Sequence, residues 1–126
     1  MTTYPGITQD FAHACDKPNE GQQIAVVGYL RLPDTLDGGS SVVLRLYRDP
    51  AFTGRPIGVT MLFGDDANQA MKITSAYHDY DLKVHLADGS LVPFLTRVRV
   101  SGRVYYPITS QDFDCGLNNP YVEAAK

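Results

Sequence analysis

The chain predicts an all-β protein of short strands joined by tight turns, with one short helix. Three observations predict it. The stretch Phe94–Tyr106, FLTRVRVSGRVYY, puts Val98, Val100, Gly102 and Val104 on one phase of a period-two pattern and Arg97, Arg99, Ser101, Arg103 and Tyr105 on the other. A half-buried strand requires that alternation, because successive side chains point to opposite faces of a sheet. The same period returns in Gln23–Leu32, Ser41–Arg48 and Ile57–Phe63. Between these runs stand the glycines, prolines and aspartates that mark turns.

In chain order, residues 1–20 form an arm, in which Thr8 would cap one helical turn through Phe11, Ala12 and Cys15 before Lys17 and Pro18 end it. The first strand, Gln23–Leu32, sends Ile24, Val26, Leu30 and Leu32 inward, with Gly28 on the same phase as the mark of a sharp bend or close backbone approach. Pro33 stops it, and 34–40 is a turn segment. The second strand, Ser41–Arg48, turns Val42, Leu44 and Leu46 inward and Val43, Arg45 and Tyr47 outward; the third carries Ile57, Val59, Met61 and Phe63 on one face. Residues 64–72 lose the alternation and contain helix formers after an aspartate, so the short helix is expected there. Alternation resumes with Leu82, Val84 and Leu86, Asp88-Gly89 suits a type I′ hairpin turn, and Leu91-Val92 leads past Pro93 into the Phe94–Tyr106 strand. After Pro107, Gly116, Asn118, Asn119 and Pro120 make the remainder read as an irregular arm. The expected organisation is one domain of 126 residues: an N-terminal arm over 1–20, a barrel over 21–106 and a C-terminal arm over 107–126.

The order β-β-β-α-β-β resembles the OB-fold, the five-stranded Greek-key barrel of oligonucleotide- and oligosaccharide-binding modules. The resemblance covers Gln22–Tyr106. It is carried by that order, by GQQIAVVGYLRLP as the first strand and by DGSLVPFLTRVRVSGRV as the closing hairpin. It is most similar to small bacterial OB-fold proteins of the tRNA-anticodon-domain-like kind. It implies a curved barrel with a binding groove, and leaves the ligand open, because this fold carries many unrelated functions.

Composition bounds the function more than it specifies it. A hydrophobic content of 44% is that of an ordinary globular chain. The formal net charge of -3 argues against a dedicated polyanion binder, which is usually basic over its domain. No apolar run reaches the length of a membrane span, and the first twenty residues contain no apolar signal core. As written, the sequence is that of a cytoplasmic protein. It is extracytoplasmic if Cys15 and Cys115 are joined. Such a bond would close a loop of about 100 residues, worth about 4.7 kcal/mol in the chain-entropy model; the other reading is two separate thiols.

The sharpest candidate for a ligand-binding face is Arg97, Arg99, Arg103 and Tyr105, with Arg45 and Tyr47 beside them on the second strand. Cations at strand spacing interleaved with aromatics are what a single-stranded nucleic acid uses, its phosphates tracked and its bases stacked. The plainer reading is a solvated outer face whose arginine stems cover apolar surface and whose heads pair with carboxylates. His13 and Cys15 lie two apart, a spacing that does not let them face each other on a helix, so no nucleophile–base pair is expected. His78 and His85 lack zinc-ligand spacing, and the pairs Asp65/Asp66, Asp79/Asp81 and Asp112/Asp114 lack the frame of a calcium loop. No metal, no cofactor and no catalytic residue is therefore expected. The expected role is a non-catalytic binding or interaction module with a protein partner or a homo-assembly, its polar arms ordered by that partner. The alternative is single-stranded nucleic acid or oligosaccharide on the arginine face.

Overall fold

A computed structural model describes residues 3–36, 39–74, 76–109 and 112–125. It contains β1 (Ile7–Thr8), β2 (Gln23–Arg31), β3 (Ser41–Tyr47), β4 (Ile57–Leu62), β5 (Lys83–His85), β6 (Leu91–Pro93), β7 (Arg97–Tyr105) and β8 (Gly116–Ala124). Strands β2, β3, β4, β8 and β7 follow one another, and β7 pairs back onto β2, closing a five-stranded barrel. Every barrel pairing is antiparallel except β4 with β8, which is parallel. The short strands β5 and β6 form a separate two-stranded sheet, and β1 lies parallel to β2.

The inward phases read from the sequence form the core. Ile24, Val26 and Leu30 of β2, Val42, Leu44 and Leu46 of β3, Val59 and Met61 of β4 and Val98, Val100 and Val104 of β7 are all buried, as are Leu82, Val84 and Leu86. Gly28 is where β3 comes close to β2: the Tyr47 carbonyl and the Leu46 side chain occupy the space a Cβ would fill. Ala25 and Ser101 are buried although they lie on the outward phase. The arm covers them, with Gly6 packed on the Ile24 backbone and its N–H donating to Ser101 Oγ at 3.0 Å.

Five expectations are corrected. The segment read as an irregular C-terminal arm contains β8, which fits between β4 and β7 and completes the barrel. Its breakers are absorbed by a bulge. Ser101 pairs with Tyr121 and Arg103 with Asn118, so Asn119 and Pro120 together face Gly102. There Asn119 takes φ 51°, and Pro120, lacking an N–H, sits where the ladder skips. Of the closing hairpin expected over DGSLVPFLTRVRVSGRV, β7 is a barrel strand, whereas β6 pairs with β5 in the separate sheet.

The helix expected over 64–72 does not form. The N–H groups of Asn68, Ala70 and Met71 donate to the carbonyls of His85, Leu62 and Lys83, so the backbone that a helix would need internally is used to join β4 to β5. Asn68 turns the chain at φ 62°. Among the described residues, helical turns are confined to 3₁₀ turns at Phe11–His13, Lys17–Asn19 and Asp79–Asp81, the last lying between β4 and β5. Asp10, not Thr8, occupies the cap position of the first; Thr8 belongs to β1.

The Asp88-Gly89 turn is not type I′, which needs two positive φ angles, because only Gly89 has one, at 90°. The Gly89 N–H donates to Leu86 and the Leu86 N–H to Ser90, the pattern of a type I turn followed by a glycine bulge.

Candidate binding face

The six side chains expected on one face do not stand together. Arg97 and Arg103 lie near opposite ends of β7, about 20 Å apart at strand rise. Arg99, between them, lies on the outer face but is covered by the chain's own arm. Its Nε donates to Thr8 Oγ1 at 3.0 Å, its Nη2 to the Gly6 carbonyl at 2.5 Å, and its Nη1 meets Glu123 at 2.8 Å. Tyr105 lies over Gly116, and its hydroxyl is 3.1 Å from Thr60 Oγ1. Arg45 is held on the outer side of β3, its Nη1 on the Val43 carbonyl, its Nη2 3.2 Å from Asp112, and its guanidinium 5.0 Å above the Phe113 ring. Gly58 makes room for Phe113, whose ring edge comes within 2.7 Å of a Cβ position there.

What the barrel does assemble is a row across three strands at one end. Tyr29 stands opposite Arg97 on β7 and opposite Tyr47 on β3, so the three share the outer face. Tyr47 contacts Phe52 edge-on at 5.3 Å, Phe52 lies 5.7 Å from Phe94, and Arg31 sits 4.8 Å over the Phe52 ring while its Nε binds Asp79 at 3.0 Å. Two bulky residues of this end adopt left-handed backbone, Phe52 at φ 59° and Leu95 at φ 71°, a conformation that is costly for such side chains and gathers where loops are held for a purpose. The sequence reading missed Tyr29, Arg31, Phe52 and Phe94. Tyr29 and Arg31 carried a signal, the outward phase of the first strand; Phe52 and Phe94 sit in loops, where periodicity is silent.

Two shallow grooves adjoin this row on the β3 side. One of about 210 Å³ runs between the chain leaving β2 and Asp112, over Arg45 and Tyr47. The other, of about 230 Å³, follows β3 toward Ser41. Pro33 forms part of both walls, and the Tyr77 hydroxyl donates to its carbonyl. Burial of that phenol, with Asp34 and Asp79 near it, holds its pKa above the usual tyrosine value. Electrostatically these walls are balanced: Arg31 is matched by Asp79 and Arg45 by Asp112, and on the neighbouring loop Arg55 by Asp114.

Cys15 and Cys115 are joined, S–S 2.05 Å, which ties the arm to the residue before β8. Both ring nitrogens of His85 are buried without a hydrogen-bond partner among the described residues. Among the described residues no three His, Cys, Asp or Glu side chains are grouped to hold a metal ion, and no helix is long and apolar enough to cross a membrane. In comparisons with protein-family models, curated proteins and solved structures, nothing matches the chain.

Proposed function

We propose that the chain is a non-catalytic binding module of OB type whose partner is another protein. The closed five-stranded barrel, with its third and last strands parallel, is compatible with the OB-type barrel that the sequence resembles. One observation carries the choice of partner. Arginines expected to greet a polyanion are committed to the chain's own carboxylates, Arg99 to Glu123 and Arg45 to Asp112, and Arg31 beside them to Asp79. A phosphate chain would have to displace these acids, whereas a polypeptide of mixed character meets a surface already neutral. The arms give less support than the sequence promised, since Arg99, the disulfide and β8 order them without a second molecule.

A second reading has its own observation, the Arg97–Tyr29–Tyr47 row, which offers stacking rings beside a cation as single-stranded nucleic acids use them. Fluorescence anisotropy of labelled single-stranded DNA and RNA, at low and raised salt, separates the two. The protein-partner reading expects no binding at either salt. Binding that weakens steeply with salt and is lost in Tyr29→Ala and Tyr47→Ala would overturn it in favour of the second.

A further inference from the structure

We propose that the Ser41–Val43 edge of β3 is a strand-addition site that receives an extended polypeptide segment of a partner protein. This rests on the protein-partner reading and adds where and how the partner binds.

The edge follows from register. Strand β3 pairs with β2 only from Arg45 to Tyr47, opposite Arg31 to Tyr29. Strand β2 ends at Arg31, whereas β3 continues back to Ser41 with β4 alone among the described strands beside it. The Ser40 carbonyl accepts from the Phe63 N–H at 3.0 Å, so even-numbered residues of this segment direct their backbone groups toward β4. Backbone groups alternate in direction along an antiparallel strand, so Ser41 and Val43 direct theirs away from β4, to the side β2 has left. Their N–H groups have no partner among the described residues. Among the described residues the Val43 carbonyl has only the Arg45 guanidinium, Nη1 at 2.6 Å. A charged side chain folded over an open edge is a common guard against unwanted pairing.

The space beside this edge is already shaped. The 230 Å³ groove runs along it, with Pro33, Thr35 and Leu36 as the far wall and Val43 as the near one. Pro33 is fixed there by the Tyr77 hydroxyl. The groups left open among the described residues are the Ser41 and Val43 N–H donors, two residues apart on one line, with the Val43 carbonyl between strand and groove held by a side chain alone. An extended polypeptide backbone matches that spacing; a nucleic acid or a sugar does not repeat it. The barrel shows the same event within its own chain, where β1 adds to β2 by Ile7–Ile24 and Thr8–Ala25 and the Gln9 N–H donates to Ala25 at 2.8 Å. Two pairs suffice there because flanking contacts hold the added segment. The groove wall and the Arg45–Asp112 pair offer such contacts at the β3 edge.

The test uses the full, oxidised chain. Twelve-residue peptides are selected from a random phage-displayed library, and the strongest is synthesised with a fluorescein label. Val43→Pro removes the edge N–H, and proline is tolerated on edge strands. We expect the peptide to bind this variant about ten-fold or more weakly, the worth of one to two backbone hydrogen bonds. In the unaltered protein, amide exchange at Ser41 and Val43 is expected to slow on peptide addition while Val42 and Leu44 stay unchanged, a readout that does not depend on the variant folding. Selected peptides that bind Val43→Pro equally well, or protect other amides, overturn the edge and leave the protein-partner reading standing. A library that yields no binder overturns both.

Discussion

Arg99 and Glu123 meet at 2.8 Å across β7 and β8, and the same guanidinium reaches back to Thr8 and the Gly6 carbonyl. One side chain thus fastens the first strand, the last strand and the arm together. Both groups are partly exposed (24% and 37%), so the ion pair itself is worth little and the shared hydrogen bonds carry the effect. Arg99→Ala should cost about 2 kcal/mol in urea denaturation. A double-mutant cycle with Glu123→Ala should return a coupling of about 1 kcal/mol or less. Equal stability of Arg99→Ala and the unaltered chain would show that the arm is held elsewhere.

The Cys15–Cys115 bond spans 100 residues of sequence. Replacing both cysteines by serine should lower stability by roughly 2–5 kcal/mol. Reductant should lower the Tm of the unaltered protein and leave that of the double-serine variant where it is. A Tm indifferent to reductant would mean that the bond contributes nothing to the folded barrel.

Gly102 faces the bulge of β8, where a Cβ would come within 2.8 Å of Leu117 Cβ and 2.9 Å of the Asn118 carbonyl. Neither neighbour is the end of a flexible side chain. Gly102→Ala should therefore destabilise by about 1–3 kcal/mol through overpacking, read as a lower urea midpoint with an unchanged slope. A neutral result would show that the bulge relaxes freely.

Two aspartates titrate below the ordinary carboxyl range because turn residues hydrogen-bond their ionised form: Asp88 through the Ser90 hydroxyl and N–H, Asp49 through the Thr53 hydroxyl and N–H. A carboxyl whose folded pKa is lowered stabilises the protein above its unfolded value and loses that contribution as pH falls through the folded one. Carbon-detected NMR titration should place both midpoints below the ordinary aspartate value. Ser90→Ala should return Asp88 alone toward the ordinary value, and an unmoved Asp88 would refute this cause.

His85 presents the reverse case, a polar ring whose two nitrogens are buried with no partner among the described residues. Replacing a buried unsatisfied group by an apolar one of similar size removes a desolvation penalty. His85→Leu should raise stability by about 1 kcal/mol. A loss of that size instead would assign the ring a packing or hydrogen-bonding role in the folded protein.

Strands whose two faces see different surroundings were legible from the sequence. Val98, Val100 and Val104 alternate with arginines because one side is core and the other is not, and the same contrast marks β2, β3 and β4. The strand β8 was hidden because its punctuation serves tertiary contacts: Gly116 makes room for Tyr105, and Asn119 and Pro120 form the bulge opposite Gly102. Residues 64–72 misled for a related reason, since their helix formers are overruled by backbone bonds to β4 and β5. The arginines were correctly placed on an outer phase. Their partners were out of reach of periodicity, because Glu123, Asp112 and Asp79 lie 24, 67 and 48 positions away in the chain.

The position of β8 has a consequence for folding. β8 follows the other described barrel strands in the sequence yet sits between β4 and β7, so a chain whose earlier strands have already paired still presents two open edges until β8 enters. Closure is therefore a long-range step that comes after local pairing. A variant cut just before Cys115 should be cleaved by protease as fast as an unfolded chain, whereas the unaltered chain should resist it.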